Sequence, residues 1–540
     1  MARHQRQSFL CWRMICKLKR VFRARARTPT RAPHPPPHTH CRGYNEFGYQ
    51  NASRGLETPH IDALAAGGVR LTSYYTNPLC SPSRSALMTG KLNHRLGTQA
   101  NVVYWDTPWS VPLAHTFLPQ RLKAIPGFGA TSMYGKWHLG MHDTRFWPVN
   151  RGFDDHSGYL QGCGGYASHV AACCDAPQPN ASDFLRYICP PGSPDYRGYD
   201  WFHNTAPAPA VNGTPSSDVI AGLAESAIAR GAAAGAPIFL YLPFQNIHAP
   251  YDALPASVAR FAHLPISPQQ RQMFAYIYEL DAAVGRVTAA LAAAGLLNDS
   301  VCVLVSDNGA PNANGVEFRN FPLRGFKSDT WEGGTRVPGV VFAPGRLPAG
   351  ATTDAMVHVT DWVPTLVGVA GGSVAPSEGL DGVDVWPNLA APASPSIRQE
   401  VVHNINPLCS GGQFGSPKAA LRVGDMKLVC WCYAVAGIDG QTSTGCTPDP
   451  AHPRDWPQLY NLSADISEGT NLAAALPGVV AALEARLAVI AAASVEPMVW
   501  VPPYQGKDYY CADCPLRNKT GPYAPWDAWI TKTPPHANVN

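Results

Sequence analysis

The sequence predicts an α/β protein: a large, mostly parallel sheet flanked by helices, followed by a smaller C-terminal α+β subdomain. Three observations carry this. Strand-like and helix-like segments alternate from Gly43 to about residue 385, the order that builds parallel sheets. Two segments, "PIFLYLPF" (237–244) and "VCVLVS" (301–306), are unbroken apolar runs rich in branched and aromatic residues, as strands covered on both faces are. Near 385–400 the composition shifts to "WPNLAAPASPSIRQ", a Pro/Ala/Ser linker, and the strand-like pieces beyond it are shorter.

Taken in order, "TPHIDALAAGG" opens the folded part with Thr58 as N-cap, Pro59 at the first helical position and Gly67 just past the end. "VRLTSYYT" follows as a strand, then a loop with Cys80 and a short helix stopped near Gly90. "GATSM" is a further strand. Helices are predicted over the Ala-rich 217–234 and over 268–294, where apolar and aromatic residues recur at helical spacing. The strand 301–306 and the segment "PLRGFKSDTWEGGTRVPGVVFAPG", a Gly-rich turn into another strand, complete the main domain, 43–395. The subdomain, 396–505, contains "EVVHNI", "MKLVCWCYAVAG" and an amphipathic helix at about 477–493. A Cys/Pro-rich tail, 506–540, follows.

Residues 1–42 differ from the rest. They hold eleven Lys and Arg and no acid, so the net charge of +4 hides a body of 31 basic and 38 acidic residues, or −7. A mildly acidic body argues against nucleic-acid binding, which needs a basic face. Arg13 and Lys17 interrupt the one apolar stretch that resembles a signal-peptide core. Residues 1–42 therefore read as a disordered basic extension. No run of about 18 apolar residues occurs, so no spanning helix is predicted. Fifteen Cys and six N-x-S/T sequons (Asn51, Asn180, Asn212, Asn298, Asn461 and Asn518) indicate an oxidising, secretory compartment. "CADC" at 511–514 has no second CxxC to complete a zinc site.

Ligands in open α/β sheets bind beyond the C-terminal strand ends. After "VCVLV" stands Ser306-Asp307-Asn308-Gly309; after "IFLYLPF", Gln245-Asn246-Ile247-His248; after "GATSM", Tyr134-Gly135-Lys136-Trp137-His138. After "VRLTSYYT" come Cys80 and Arg84, and Lys327 precedes its Gly-rich turn. Singly, each has a plain explanation: a turn at Asp-Asn-Gly, solvated loop residues at Lys136, His138 and Lys327, a satisfied buried imidazole at His248, a structural thiol at Cys80. Five such loops together indicate one site. Arg84, Lys136 and Lys327 suit an anion, and His138 and His248 suit proton transfer. Asp307 and Asn308 offer hard oxygen ligands. Cys80 at a helix N-terminus lies where N–H groups favour negative charge.

These residues resemble a known family. "CSPSRSALMTGK" resembles the sulfatase signature, Cys-x-Pro-x-Arg leading into a Ser/Ala-rich helix start and Thr-Gly. "YGKWHLG" resembles its second signature, and "SDNG", "PLRGFKSDTWEGGTRVP" and "PQLYNLSADISEGTNLA" resemble later blocks. The likeness runs from Gly43 to about residue 475. "LDGVDVWPNL…VVHNINP" is most similar to the arylsulfatase B-type branch, the N-acetylgalactosamine-4-sulfatase-like enzymes.

The resemblance implies an alkaline-phosphatase-like fold and hydrolysis of a sulfated carbohydrate or aryl sulfate. Cys80 would be oxidised to formylglycine by a separate formylglycine-generating enzyme of the secretory pathway. As a hydrated diol it would attack sulfur with one hydroxyl and expel sulfate with the help of the other. Arg84 would steady those hydroxyls, Lys136 and Lys327 would clamp the sulfate, His138 would act as base, and His248 would bind or protonate the leaving oxygen. Cys80, Asp307 and Asn308 would hold Ca²⁺ or Mg²⁺. The setting would be the secretory pathway, lysosome-like or extracellular.

One departure stands out. The family begins with an apolar strand ending in Asp-Asp-Leu-Gly, both aspartates being metal ligands. Here "YNEFGYQN" matches the segment just after it, and His40, Cys41 and Arg42 precede Gly43. The first strand and both carboxylates are thus expected to be missing. His40 and Cys41 as replacements would favour zinc over calcium. Two explanations follow: residues 1–42 are a mis-assigned start of an active sulfatase, or the chain is a catalytically inactive pseudo-sulfatase that binds sulfated glycans. Independently of this departure, the resemblance leaves a further alternative, phosphodiester or phosphonate hydrolysis on the same fold.

Overall fold

The computed structural model describes residues 7–12, 47–50, 55–103, 107, 109–172, 197–311, 320–408, 417–438, 441–449 and 455–498, and the structural statements below concern these. The strands used below are β1 (Gln7–Trp12), β2 (Val69–Tyr75), β3 (Thr131–Tyr134), β4 (Asp155–Gly158), β5 (Phe239–Pro243), β6 (Ser300–Val305), β7 (Arg336–Phe342) and β8 (Ala351–Thr353). They lie in one sheet in the order β8-β2-β7-β6-β1-β5-β3-β4. The block β6-β1-β5-β3-β4 is parallel, whereas β7 runs antiparallel to both β6 and β2.

Helices cover both faces: α1 (Pro59–Gly67), α2 (Cys80–Thr89), α3 (Ser216–Ala234), α4 (Pro268–Ala293), α5 (Glu332–Thr335) and α6 (Trp362–Val369). β5 and β6 are buried throughout, as their unbroken apolar runs predict. Their residues alternate between two cores. Leu240, Leu242, Cys302 and Leu304 pack with Ile220, Ile228, Ile277 and Leu280 of α3 and α4. Phe239, Tyr241, Val301, Val303 and Val305 pack with Leu87 and Met88 of α2 and Leu366 of α6. Period-two alternation sends successive side chains to opposite faces.

The expected gap at the centre of the sheet is corrected. Gln7–Trp12 fills that position as β1, in parallel register with β5 and β6 along its length. Trp12 pairs with Pro243 on one side and with Val305 on the other, so β1 ends level with the strands that lead into the site. A strand between two neighbours satisfies its backbone by non-local hydrogen bonds. "QSFLCW" supplies a short apolar segment for this between flanking basic residues.

A second sheet is antiparallel: β9 (Glu400–Ile405), β10 (Ala419–Val423), β11 (Met426–Cys430) and β12 (Gln458–Asn461), in that order. Helix α7 (Pro477–Ala491) covers it with Leu483, Leu487 and Ala491, against Leu421, Leu428 and Leu459. Cys430 at the end of β11 is disulfide-bonded to Cys446. The linker is fastened, since Asn388 donates to Ser394 Oγ and Pro395 O at 2.9 Å each. The "CADC" pair, the tail 506–540 and the sequons at Asn51, Asn180 and Asn518 lie outside the described residues. Asn212 and Asn298 are exposed, and Asn461 is half-buried.

Candidate active site

The sequence-predicted residues come together at the C-terminal ends of the parallel strands. Cys80 is the first residue of α2, and no side chain caps that helix end. Every residue of α2 is buried, and it stops at Gly90, whose left-handed backbone (φ 71°) lets its N–H reach Ala86 O. Cys80 Sγ donates to Asn308 Oδ1 at 3.2 Å. One helical turn on, Arg84 projects the same way. Its Nε and Nη2 donate to Asp307 Oδ2 at 3.2 and 2.7 Å, and its Nη1 donates to Lys136 O and Tyr241 Oη at 3.1 Å each. The motif Cys-x-Pro-x-Arg thus spans from the loop after β6 to the loop after β3.

Asp307-Asn308-Gly309 leaves β6 in a tight turn, with Ser306 Oγ donating to Asn308 O at 2.9 Å. Gly309 is required there, because a Cβ would collide with the Gly333 carbonyl. Lys136 and His138 follow β3, and their backbone N–H groups bond Pro243 O (3.0 Å) and Leu160 O (3.1 Å). His138 has φ 61°, and its carbonyl accepts from Ser81 Oγ at 2.8 Å. From the loop after β5, His248 Nδ1 lies 2.8 Å from Ala249 O. An N–H there leaves Nε2 as the acceptor for Lys327 Nζ at 3.2 Å.

The electrostatics follow from burial. Burial pushes Lys136 down to about 8; Cys80 pulls it up, and Arg84 adds to the fall. Burial, Lys136 and Arg84 hold His138 well below the usual imidazole range, and its Nδ1 has no hydrogen-bond partner among the described residues. Burial would raise Asp307, but Arg84, Lys136 and Lys327 hold it well below the usual carboxylate range. Three cations surround one carboxylate, and neither Lys136 nor Lys327 forms an ion pair with a described carboxylate. That excess of positive charge is suited to an anion.

Several neighbours escaped the sequence reading. Tyr241 is an interior residue of a buried strand, and its hydroxyl has no local signal. Asp200 accepts from Leu160 N (3.0 Å) and Gln161 N (2.9 Å), holding the loop that flanks His138. A Cβ on Gly162 would press on the His138 ring, 2.8 Å from Cε1 and Nε2. Beside it, Cys163 is a free thiol, pushed up by burial against the pull of Lys136 and Lys327. Of the chain that continues from this loop, residues 173–196 lie outside the described residues.

The donor set does not by itself match a hard divalent cation, which takes six to eight oxygens. Asp307 Oδ2 is occupied by Arg84, and Asn308 Oδ1 accepts from Cys80. Among the described residues no group of three or more His, Cys, Asp or Glu has metal-binding geometry. The chain leaving β1 reads Arg13-Met14-Ile15-Cys16-Lys17, and no Asp or Glu precedes Glu46. The expected ligands Cys80, Asp307 and Asn308 therefore meet without completing a cation site.

A parallel sheet that gathers buried cations round a thiol-bearing helix N-terminus has the arrangement of an enzyme acting on anionic esters. The family model described as Sulfatase matches residues 42–373, and the chain belongs to the sulfatase family. Arylsulfatase J of Mus musculus is 33% identical over 468 residues, which cover 82% of this chain and 73% of that protein. Arylsulfatase A of Homo sapiens is 30% identical over 466 residues, covering 82% and 84% respectively. The crystal structure of Ps i-CgsB in complex with k-i-k-neocarrahexaose shares the fold, with 23% identity and a TM-score of 0.70 over 93% of this chain and 96% of that one.

Proposed function

We propose that this protein hydrolyses sulfuric esters, of a sulfated carbohydrate or an aryl alcohol, with position 80 as nucleophile. The observation that carries the reading is the uncapped helix start at Cys80 beside the buried Arg84 and Lys136 and the half-buried Lys327, cations in excess of the single carboxylate Asp307. Modification of Cys80 to formylglycine by a formylglycine-generating enzyme would supply a hydroxyl nucleophile and a second hydroxyl that allows sulfate to be expelled. The buried Cys80 side chain, held by Asn308 Oδ1, fits that role.

The rest is the work of the chain's own residues. Arg84 orients the group at position 80 and ties it to Asp307. Lys136 and Lys327 bind the sulfate oxygens and offset charge that builds on them. His138, neutral because of its burial, is the base that takes the proton during release. His248, with Nε2 directed at Lys327, lies beside the leaving oxygen. No step is routed through a divalent cation, since the donors among the described residues do not complete a site for one. The branch reading, arylsulfatase B-like, rests on "LDGVDVWPNL…VVHNINP" alone. A secretory setting, lysosome-like or extracellular, is supported by the Cys430–Cys446 disulfide and the exposed sequons at Asn212 and Asn298. Among the described residues no helix is long and apolar enough to cross a membrane.

The test is sulfate release from an aryl sulfate by protein co-expressed with a formylglycine-generating enzyme. Release that requires the co-expression supports the proposal. No release sinks it, and faster turnover of an aryl phosphodiester would transfer the reading to phosphoester hydrolysis.

A further inference from the structure

Lys327 lies in a loop with an unfavourable backbone. Ser328, next to it, has φ 86°, a left-handed conformation that non-glycine residues hold only when their surroundings over-determine it. On the main-sheet side, two hydrogen bonds secure the pair: Lys327 N to Ala310 O at 2.8 Å and Ser328 N to Pro78 O at 2.9 Å.

Local bonds add to these, Phe326 N to Asp329 Oδ2 and Asn320 Nδ2 to Gly325 O at 2.9 Å each, and a further set reaches the second sheet. Arg324, three residues before Lys327, donates to Tyr460 Oη at 2.9 Å and to Glu468 O at 3.0 Å. Its guanidinium lies 4.0 Å from the centre of the Trp331 ring. Thr330 N donates to Pro417 O at 3.3 Å, and Trp331 Nε1 to Gln458 Oε1 at 3.3 Å. Glu332 N donates to Glu468 Oε2 at 2.7 Å. The Glu332 carboxylate accepts from Lys427 Nζ (3.0 Å), Tyr75 Oη (2.8 Å) and Arg336 Nη1 (3.1 Å). Lys427 Nζ also lies 2.8 Å from Glu468 Oε1. Glu332, Lys427 and Glu468 have no exposed side-chain surface.

We infer that Lys427, Glu468 and Tyr460 are positioning residues: through Glu332 and Arg324 the C-terminal subdomain sets where Lys327 stands in the anion site. A subdomain that only added stability would not need to grip both flanks of one loop, one through the half-buried Arg324 and the other through fully buried charges. Such charges hold geometry tightly because each one left unpaired is costly. The inference rests on the reading of Lys327 as a sulfate-binding cation.

A double-mutant cycle on the intact chain tests it, read on binding of inorganic sulfate by calorimetry. Lys427→Met and the milder Tyr460→Phe are each measured alone and over Lys327→Ala, at a temperature where melting curves show all variants folded. Expected are losses of about tenfold for Lys427→Met and about threefold for Tyr460→Phe, neither persisting in the Lys327→Ala background. Equal losses in both backgrounds, no loss in either folded variant, or no sulfate binding by the wild type would each overturn it. Should Lys427→Met fail to fold, Tyr460→Phe decides alone. A wild type that binds sulfate but turns over no ester counts against the proposed function only.

Discussion

Two buried charge clusters, one at the strand ends and one between the sheets, are built on opposite rules. Between the sheets, Lys427 lies between the carboxylates of Glu332 and Glu468, and Arg336 pairs with Glu332. Every charge there has a partner. At the strand ends Arg84 alone is paired, with Asp307, while Lys136 and Lys327 face no described carboxylate. Buried cations without a counter-charge are destabilising, and the fall of Lys136 to about 8 expresses that. A cluster that serves the fold is saturated from within; one that serves a ligand leaves charge for the ligand to meet.

The largest effect expected is on chemistry alone. Cys80→Ala should lower aryl sulfate turnover by about 10³-fold or more and barely move the melting temperature; a collapsed mutant would make Cys80 structural. Next comes a paired comparison across the clusters. Lys427→Met, leaving two carboxylates facing each other, should cost about 3–5 kcal/mol of stability, followed by denaturant titration. Lys136→Met should leave stability unchanged or higher and weaken sulfate by about tenfold. The reverse pattern would break the distinction.

A smaller effect concerns pH. Lys136 is charged below its folded value of about 8 and neutral above it, so sulfate affinity should fall as pH rises from 7 to 9, and Lys136→Arg should flatten that slope. In stability the sign is opposite. The unfolded lysine keeps its proton up to its ordinary value near 10.5, so between about 8 and 10.5 the unfolded state binds more protons, and this residue's contribution rises with pH. The smallest effect expected is from metal removal: chelation should change sulfate affinity of this chain less than about twofold, given one free carboxylate oxygen among the described residues of the site against the several that calcium takes. A larger loss would show that the cation excess is not what holds the anion.

Much of this was legible in the chain. The strands 237–244 and 301–306 declared themselves by unbroken apolar runs, and α2 by its position before Gly90. Cys80, Arg84, Lys136, His138, His248, Asp307 and Asn308 announced themselves by following strands, and Lys327 by preceding a Gly-rich turn into one. β1 did not. "QSFLCW" among basic residues reads locally as a failed signal core, and its pairing with residues 239–243 and 300–305 is invisible at short range. Lys427 and Glu468 were equally silent: a lysine in "MKLVC" looks like an outward strand position until Glu332, distant in the chain, is packed against it.

Local rules therefore reached as far as local causes extend. Periodicity, caps and strand-end chemistry are properties of neighbouring residues, and they were enough for the α/β architecture and for Cys80, Arg84, Lys136, His138, His248 and Lys327 as one set. Which segment fills the sheet centre, whether a divalent cation finds enough oxygens, and how a second sheet grips Lys327 depend on groups brought together across hundreds of residues. Those contacts exist only once the chain is closed, because their energy comes from burial and pairing that no short stretch possesses.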